Sequence, residues 1–207
     1  MLGIYNYTVI LTYMGLLAGF SGILAASNGQ IRNALIYLMI SGVCDMFDGK
    51  IASTMKRTAT EKQFGIQIDS LCDLVCFGVL PAVIVCQGCG HGQIIQALAA
   101  IYLLCALIRL AWFNVDEAER QSREEGGREI YMGLPVTSAA LILPCLVSMG
   151  QKQHWPLSIL EPLTLLIMAV AFLLPFRIKK PALIGKIGML LLGGLGMLLV
   201  LMTGMDV

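Results

Sequence analysis

Cys44-Asp45-Met46-Phe47-Asp48-Gly49-Lys50-Ile51-Ala52-Ser53 closes one long apolar stretch, and Phe64-Gly65-Ile66-Gln67-Ile68-Asp69-Ser70-Leu71-Cys72-Asp73 opens the next. Asp45 and Asp48 stand at i,i+3 and Asp69 and Asp73 at i,i+4, so on helices each pair shares one face. The two stretches are consecutive, which makes the helices antiparallel and lets the acidic faces oppose each other near one depth. An Asp at the centre of a membrane helix costs about 2.5–3.5 kcal/mol. These four sit toward one end, where the cost is smaller, yet four together need a reason. Carboxylates crowded into one pocket repel each other unless cations balance them. An all-oxygen donor set suits Mg²⁺, Mn²⁺ or Ca²⁺ better than zinc. Asp45, Asp48, Asp69 and Asp73 therefore read as ligands for divalent metal. Gly49 and Gly65 flank the pairs and leave room for a phosphate or ribose against the backbone, and Ala52 keeps one further turn slim.

Working outward, 57% of the 207 residues are hydrophobic, only 13% are charged, and the mean hydropathy is +0.81. Soluble domains carry roughly 25% charged residues, so a water-soluble fold is excluded, and a net charge of +1 gives no footing for nucleic acid. About 20 apolar residues span the hydrocarbon core. Seven candidate spans follow, at 7–27, 31–54, 64–86, 93–115, 133–150, 157–176 and 183–204. The fifth is the weakest, since it holds Pro135 and Pro144. The fold expected over residues 1–207 is one all-α domain, a polytopic transmembrane helical bundle of six or seven spans. The N-terminus has no basic n-region, so the first span reads as retained. Lys56, Arg57 and Lys62, then Arg120, Arg123 and Arg128, then Arg177, Lys179 and Lys180 fall in alternate loops. By the positive-inside rule those loops are cytoplasmic, which puts the acidic pairs at the cytoplasmic side of a cell membrane.

Other features carry less. Of the seven cysteines, five lie in apolar stretches and read as small hydrophobes. Cys86-Gln87-Gly88-Cys89 with His91 has a metal or redox spacing but no second ligand cluster, and reads as an ordinary loop. The charged segment 116–131 reads as a solvated loop or short surface helix.

The run Asp45-x2-Asp48-Gly49-x2-Ala52, then Gly65-x3-Asp69-x3-Asp73, resembles the signature of the CDP-alcohol phosphatidyltransferases. The resemblance implies that Asp45, Asp48, Asp69 and Asp73 hold Mg²⁺ or Mn²⁺, with two ions expected. Asp73 would also be the general base, and Asp48, Gly49, Ala52 and Gly65 would line the CDP pocket. Homodimers are expected on the same ground. Two departures stand out: Ser53 takes the place of the family's usual Arg, and the loop 54–64 is longer than usual. Arg57 or Lys56 is the available replacement cation.

Asp69-Ser70-x2-Asp73-x3-Phe77-Gly78-x2-Pro81, Arg109-Leu110-Ala111-Trp112-Phe113-Asn114 and Gly133-Leu134-Pro135 are similar to the serine-transferring branch of the family. The branch implies CDP-diacylglycerol and L-serine as substrates in phospholipid biosynthesis. Arg109 is a membrane-helix cation suited to the serine carboxylate, or else to an ion pair with an aspartate. Asn114 and Gln67 are candidate contacts to the amino acid or the diphosphate. Glycerol 3-phosphate or inositol phosphate as acceptor is the nearest alternative, and Trp112 where a second Arg is usual argues against a doubly charged acceptor. An ion transporter with intramembrane carboxylates is the other class, but no inverted repeat supports it.

Overall fold

Ala52 ends one helix and Thr58 caps the next, so a short polar loop joins the two acidic segments. In the computed structural model, which describes residues 3–90, 92–123, 130–179 and 183–202, α1 (Ile10–Ser27) and α2 (Ile31–Ala52) form the first antiparallel pair. α3 (Ala59–Asp73), a π-helical turn (Leu74–Val79) and α4 (Leu80–Gly88) make one continuous rod. α5 (Gln93–Arg123), α6 (Ala139–Lys152), α7 (Leu157–Leu173) and α8 (Leu183–Met202) complete the bundle. These rods occupy the seven candidate stretches. Among the described residues three of them, Ile10–Ser27, Ala59–Gly88 and Gln93–Glu119, are long and apolar enough to cross a membrane. The chain is an integral membrane protein with a helical fold.

Its surface explains itself only in lipid. Leu17, Phe20, Leu104 and Ile167 are all about half exposed or more, on faces that water would penalise. The interior is closed by Leu35, Leu38, Phe77, Leu80, Ile84, Leu143 and Leu165, all at or near zero exposure. Small residues let helices approach. A Cβ on Gly19 would come 2.4 Å from the Cys76 sulfur, and one on Gly42 would come 2.7 Å from the Ala140 Cβ. With no hydrophobic force between helices in lipid, such close contact is what holds them.

The π turn has a local cause. Pro81 has no N–H to offer the carbonyl of Phe77 four residues back. The Tyr102 hydroxyl of α5 donates to that carbonyl instead, at 2.6 Å. Tyr102 also packs on Phe172 of α7, ring centroids 5.5 Å apart, so one side chain ties three rods together. A π turn one residue after an aspartate pair is a common mark of a functional site.

One expectation changes. The helix α5 runs on through Arg123, so the first half of the charged segment 116–131 extends a membrane helix instead of forming a separate loop or short helix. Asp116-Glu117-Ala118-Glu119-Arg120-Gln121 is rich in good helix formers, and the helix already nucleated at Gln93 propagates through it. The all-α bundle also carries one short ribbon: β1 (Ile130–Met132) pairs antiparallel with β2 (Arg177–Lys179), in the register Ile130↔Lys179, Tyr131↔Ile178 and Met132↔Arg177. The ribbon continues into Gly133, whose N–H donates to the Phe176 carbonyl at 2.7 Å. His91, Arg128 and Lys180 lie outside the described residues.

Candidate metal centre

α2 brings Asp45 and Asp48 to its last two turns, and α3 brings Asp69 and Asp73 to its own end beside the π turn. One carboxylate oxygen each of Asp45, Asp48 and Asp69 lies within 4.8 Å of the others. Asp45 lies close to Asp73, and Asp48 close to Asp69, so both pairs face each other between the helices. Asp48 and Asp73 are each only 9% exposed. Facing carboxylates at that burial are stable only with a shared proton or a cation between them. An all-oxygen set of three converging carboxylates fits a hard divalent cation of the Mg²⁺ or Mn²⁺ kind. The structure thus brings Asp45, Asp48 and Asp69 together, with Asp73 close by on α3.

α1 adds a residue that the acidic pattern does not reveal. Thr12, 6% exposed, donates its hydroxyl to Asp48 Oδ2 at 3.0 Å. It sits on the buried face of α1 with Gly15, Gly19 and Gly22. A lone Thr in phase with that small-residue stripe was the available signal. The same face anchors α3 and the π turn. Cys72 donates to the Thr12 carbonyl and Cys76 to the Gly15 carbonyl, both at 3.3 Å. Ser41 reaches the Gly15 carbonyl from α2 at 3.1 Å.

The residues expected on the nucleotide side lie on the end of α2, the loop that follows it and α3. Gly49 is exposed, and a Cβ there would meet nothing within 4 Å. Ala52 closes α2. Ser53 is exposed and turns its hydroxyl back to the Lys50 carbonyl at 2.7 Å, so it contacts its own helix end. Arg57 reaches over α3: its Nη1 lies 3.1 Å from where a Cβ on Gly65 would stand. Ser70, next to Asp69, donates to Asn114 Oδ1 of α5 at 2.9 Å, which fixes one end of that amide beside the centre. Gln67 is exposed on α3.

Arg109 is placed differently. It is 8% exposed, its Nε donates to the Leu134 carbonyl at 3.4 Å, and its guanidinium lies 5.8 Å from the Phe113 ring centroid. With Ile108, Trp112, Phe172, Leu173, Leu174 and Pro175 it lines a cavity of about 270 Å³, in which none of the four aspartates takes part. Gly133 packs against the same residues at φ +73°, where a Cβ would stand 3.0 Å from the Leu174 carbonyl oxygen and 3.5 Å from Arg109 Nε. Only glycine meets both demands cheaply. At the far end of the bundle, the Cys89 thiol donates to Glu161 Oε2 at 3.3 Å, which supplies a partner for a carboxyl that is 5% exposed.

The class these features define is a multi-helix membrane fold with a cluster of carboxylates held between its second and third rods, able to hold a metal ion. The chain belongs to the CDP-alcohol phosphatidyltransferase family, which it matches over residues 5–204. Among similar proteins is the CDP-diacylglycerol–serine O-phosphatidyltransferase of Helicobacter pylori strain J99, 30% identical over 154 residues, 73% of this chain and 61% of that protein. The Saccharomyces cerevisiae protein of the same name is 32% identical over 143 residues, 63% of this chain and 51% of that protein. The archaetidylserine synthase of Methanothermobacter thermautotrophicus is 29% identical over 135 residues, 65% of this chain and 54% of that protein. The chain thus spans about half to three fifths of the length of these relatives.

Proposed function

We propose that the protein transfers the phosphatidyl group of CDP-diacylglycerol to L-serine and releases CMP, acting as a homodimer in the cell membrane with its centre open to the cytoplasm. The observation that carries this reading is the convergence of Asp45, Asp48 and Asp69 within 4.8 Å, on the family's spacing. The names of the bacterial and yeast relatives, both serine O-phosphatidyltransferases, support serine as acceptor. The basic residues at the same end of the bundle, Lys56, Arg57 and Lys62, favour the cytoplasmic side.

In this reading Asp45, Asp48, Asp69 and Asp73 hold the metal, with two Mg²⁺ or Mn²⁺ ions expected. Bound divalent cations of this kind neutralise diphosphate charge and stabilise the leaving CMP. Gly49, Ala52 and Gly65 let the nucleotide and its phosphates lie close to the backbone, with Asp48 at the same edge, and Arg57 faces the diphosphate. Arg109 takes the serine carboxylate in a fork. Asp73 accepts the proton of the serine hydroxyl as its oxygen attacks the phosphorus bearing the lipid. A serine oxygen–phosphorus bond forms, the bond from that phosphorus to the bridging oxygen breaks, and CMP departs with the electron pair.

The test offers purified protein CDP-diacylglycerol and Mn²⁺ with serine, glycerol 3-phosphate or inositol phosphate in turn. Serine is expected to give CMP release at least about 10-fold above either phosphorylated acceptor, the size of one lost charge-assisted contact. Faster release with a phosphorylated acceptor would replace serine in the proposal.

A further inference from the structure

The loop between α2 and α3 is held at both of its ends by two neighbouring residues of the N-terminal segment. At its start, the Thr54 hydroxyl donates to the Ile51 carbonyl at 2.7 Å, so its oxygen is left to accept from the Tyr7 hydroxyl at 3.1 Å. At its end, Thr58 caps α3. Glu61 Oε2 accepts from the Thr58 N–H at 2.8 Å and from its hydroxyl at 3.0 Å, while the Glu61 N–H donates to Thr58 Oγ1 at 3.2 Å. The other Glu61 oxygen, Oε1, accepts from Asn6 Nδ2 at 3.2 Å. Asn6 is itself fixed, since its Oδ1 takes the Thr8 N–H at 3.2 Å and the Thr8 hydroxyl at 2.5 Å.

Arg57 stands between these two ties, one residue before the cap, with its guanidinium over Gly65. An arginine side chain has about 2 kcal/mol of rotamer freedom to lose. Its use against a diphosphate improves when its backbone anchor does not move. Ser53, bound to its own helix end, offers no positive charge here. We propose that Asn6 and Glu61, with Tyr7 beside them, are positioning residues that hold Arg57 at Gly65 for the diphosphate of the CDP-lipid. The inference rests on the proposed use of a CDP-linked lipid and adds a role for the N-terminal segment in binding it.

The test uses the full chain in nanodiscs and reads both KM for CDP-diacylglycerol and its direct equilibrium binding. Asn6→Asp keeps an acceptor for Thr8 but sets a carboxylate against Glu61. KM is expected to rise about 3- to 10-fold, the worth of one hydrogen bond, with kcat within about twofold. Adding Glu61→Gln restores the contact with its polarity reversed, because the new amide donates to position 6 while its oxygen still accepts from Thr58. KM should then return to within about twofold of wild type. In an Arg57→Ala background, itself weakened roughly 10-fold, Asn6→Asp should add nothing. An unchanged KM in Asn6→Asp, failure of the paired swap, or an equal further loss without Arg57 overturns the proposal. If Asn6→Asp does not extract as folded protein, Tyr7→Phe carries the same comparison: a KM rise confined to the Arg57 background supports the role, and an equal or absent rise overturns it. A wild-type protein that binds no CDP-diacylglycerol overturns the proposed function as well, whereas wild-type binding with indifferent variants overturns the positioning alone.

Discussion

Asp73 and Asp45 lie close together between α2 and α3, yet they stand differently toward the rest of the centre. Asp45 converges with Asp48 and Asp69, whereas Asp73 is reached through Asp45. Removing charge at the two positions should therefore have distinguishable consequences. Asp73→Asn keeps shape and loses proton-accepting power, so turnover should fall at least about 100-fold, the lower range for general-base catalysis, while CDP-lipid affinity changes far less. Asp45→Asn should damage affinity and turnover together. Measuring both quantities on the same folded preparations separates the roles; an equal fall of binding and turnover in Asp73→Asn would make Asp73 a ligand only. The four aspartates were legible in the sequence because charge inside an apolar helix is costly and its spacing is periodic. Thr12 was not, because a hydroxyl on a helix satisfies itself easily, and only the fold shows it donating to Asp48. Arg109 was legible as a residue that needs a partner, but not as one whose carbonyl contact would come from Leu134, 25 positions away.

At the scale of elements, the rod Ala59–Gly88 depends on a repair from outside itself. The missing N–H of Pro81 is made good by the Tyr102 hydroxyl on the Phe77 carbonyl. Tyr102→Phe removes one oxygen and leaves that buried carbonyl without its donor, which should cost about 1–3 kcal/mol. Pro81→Ala in the same chain returns a backbone donor to that turn and should recover part of the loss. Thermal unfolding in one detergent, followed for the two single variants and the pair, reads this directly; equal stability of Tyr102→Phe and wild type would show that the carbonyl is satisfied otherwise. Element boundaries show what apolar runs alone miss. The third rod begins at Ala59, five residues before the apolar run at 64, because Thr58-x2-Glu61 is a capping box that starts a helix in polar sequence. The β1–β2 ribbon escaped notice since three-residue strands 47 positions apart carry no periodic signal.

Across the whole molecule, the order of apolar stretches predicts the order of rods, and the loop charges predict how they lie across the membrane. The end carrying Lys56 is expected inside and the end carrying Lys152 outside. Cysteines introduced as Lys56→Cys and Lys152→Cys should differ in intact cells, with a membrane-impermeant maleimide reaching only position 152 and both positions labelling after permeabilisation; the parent chain gives the background from its own seven cysteines. Labelling of position 56 alone in intact cells would invert the orientation and put the acidic centre on the outer side. In the proposed function this centre, with divalent metal held by its aspartates, joins serine to a lipid phosphate. The measurement closest to that claim supplies reconstituted protein with CDP-diacylglycerol and radiolabelled serine, and counts label entering the lipid phase against CMP released. With Mg²⁺ or Mn²⁺ the two should rise together one for one, and excess chelator should reduce both at least about 100-fold until metal is returned. Label entering lipid at an undiminished rate in chelator, or CMP appearing without labelled lipid, would contradict it.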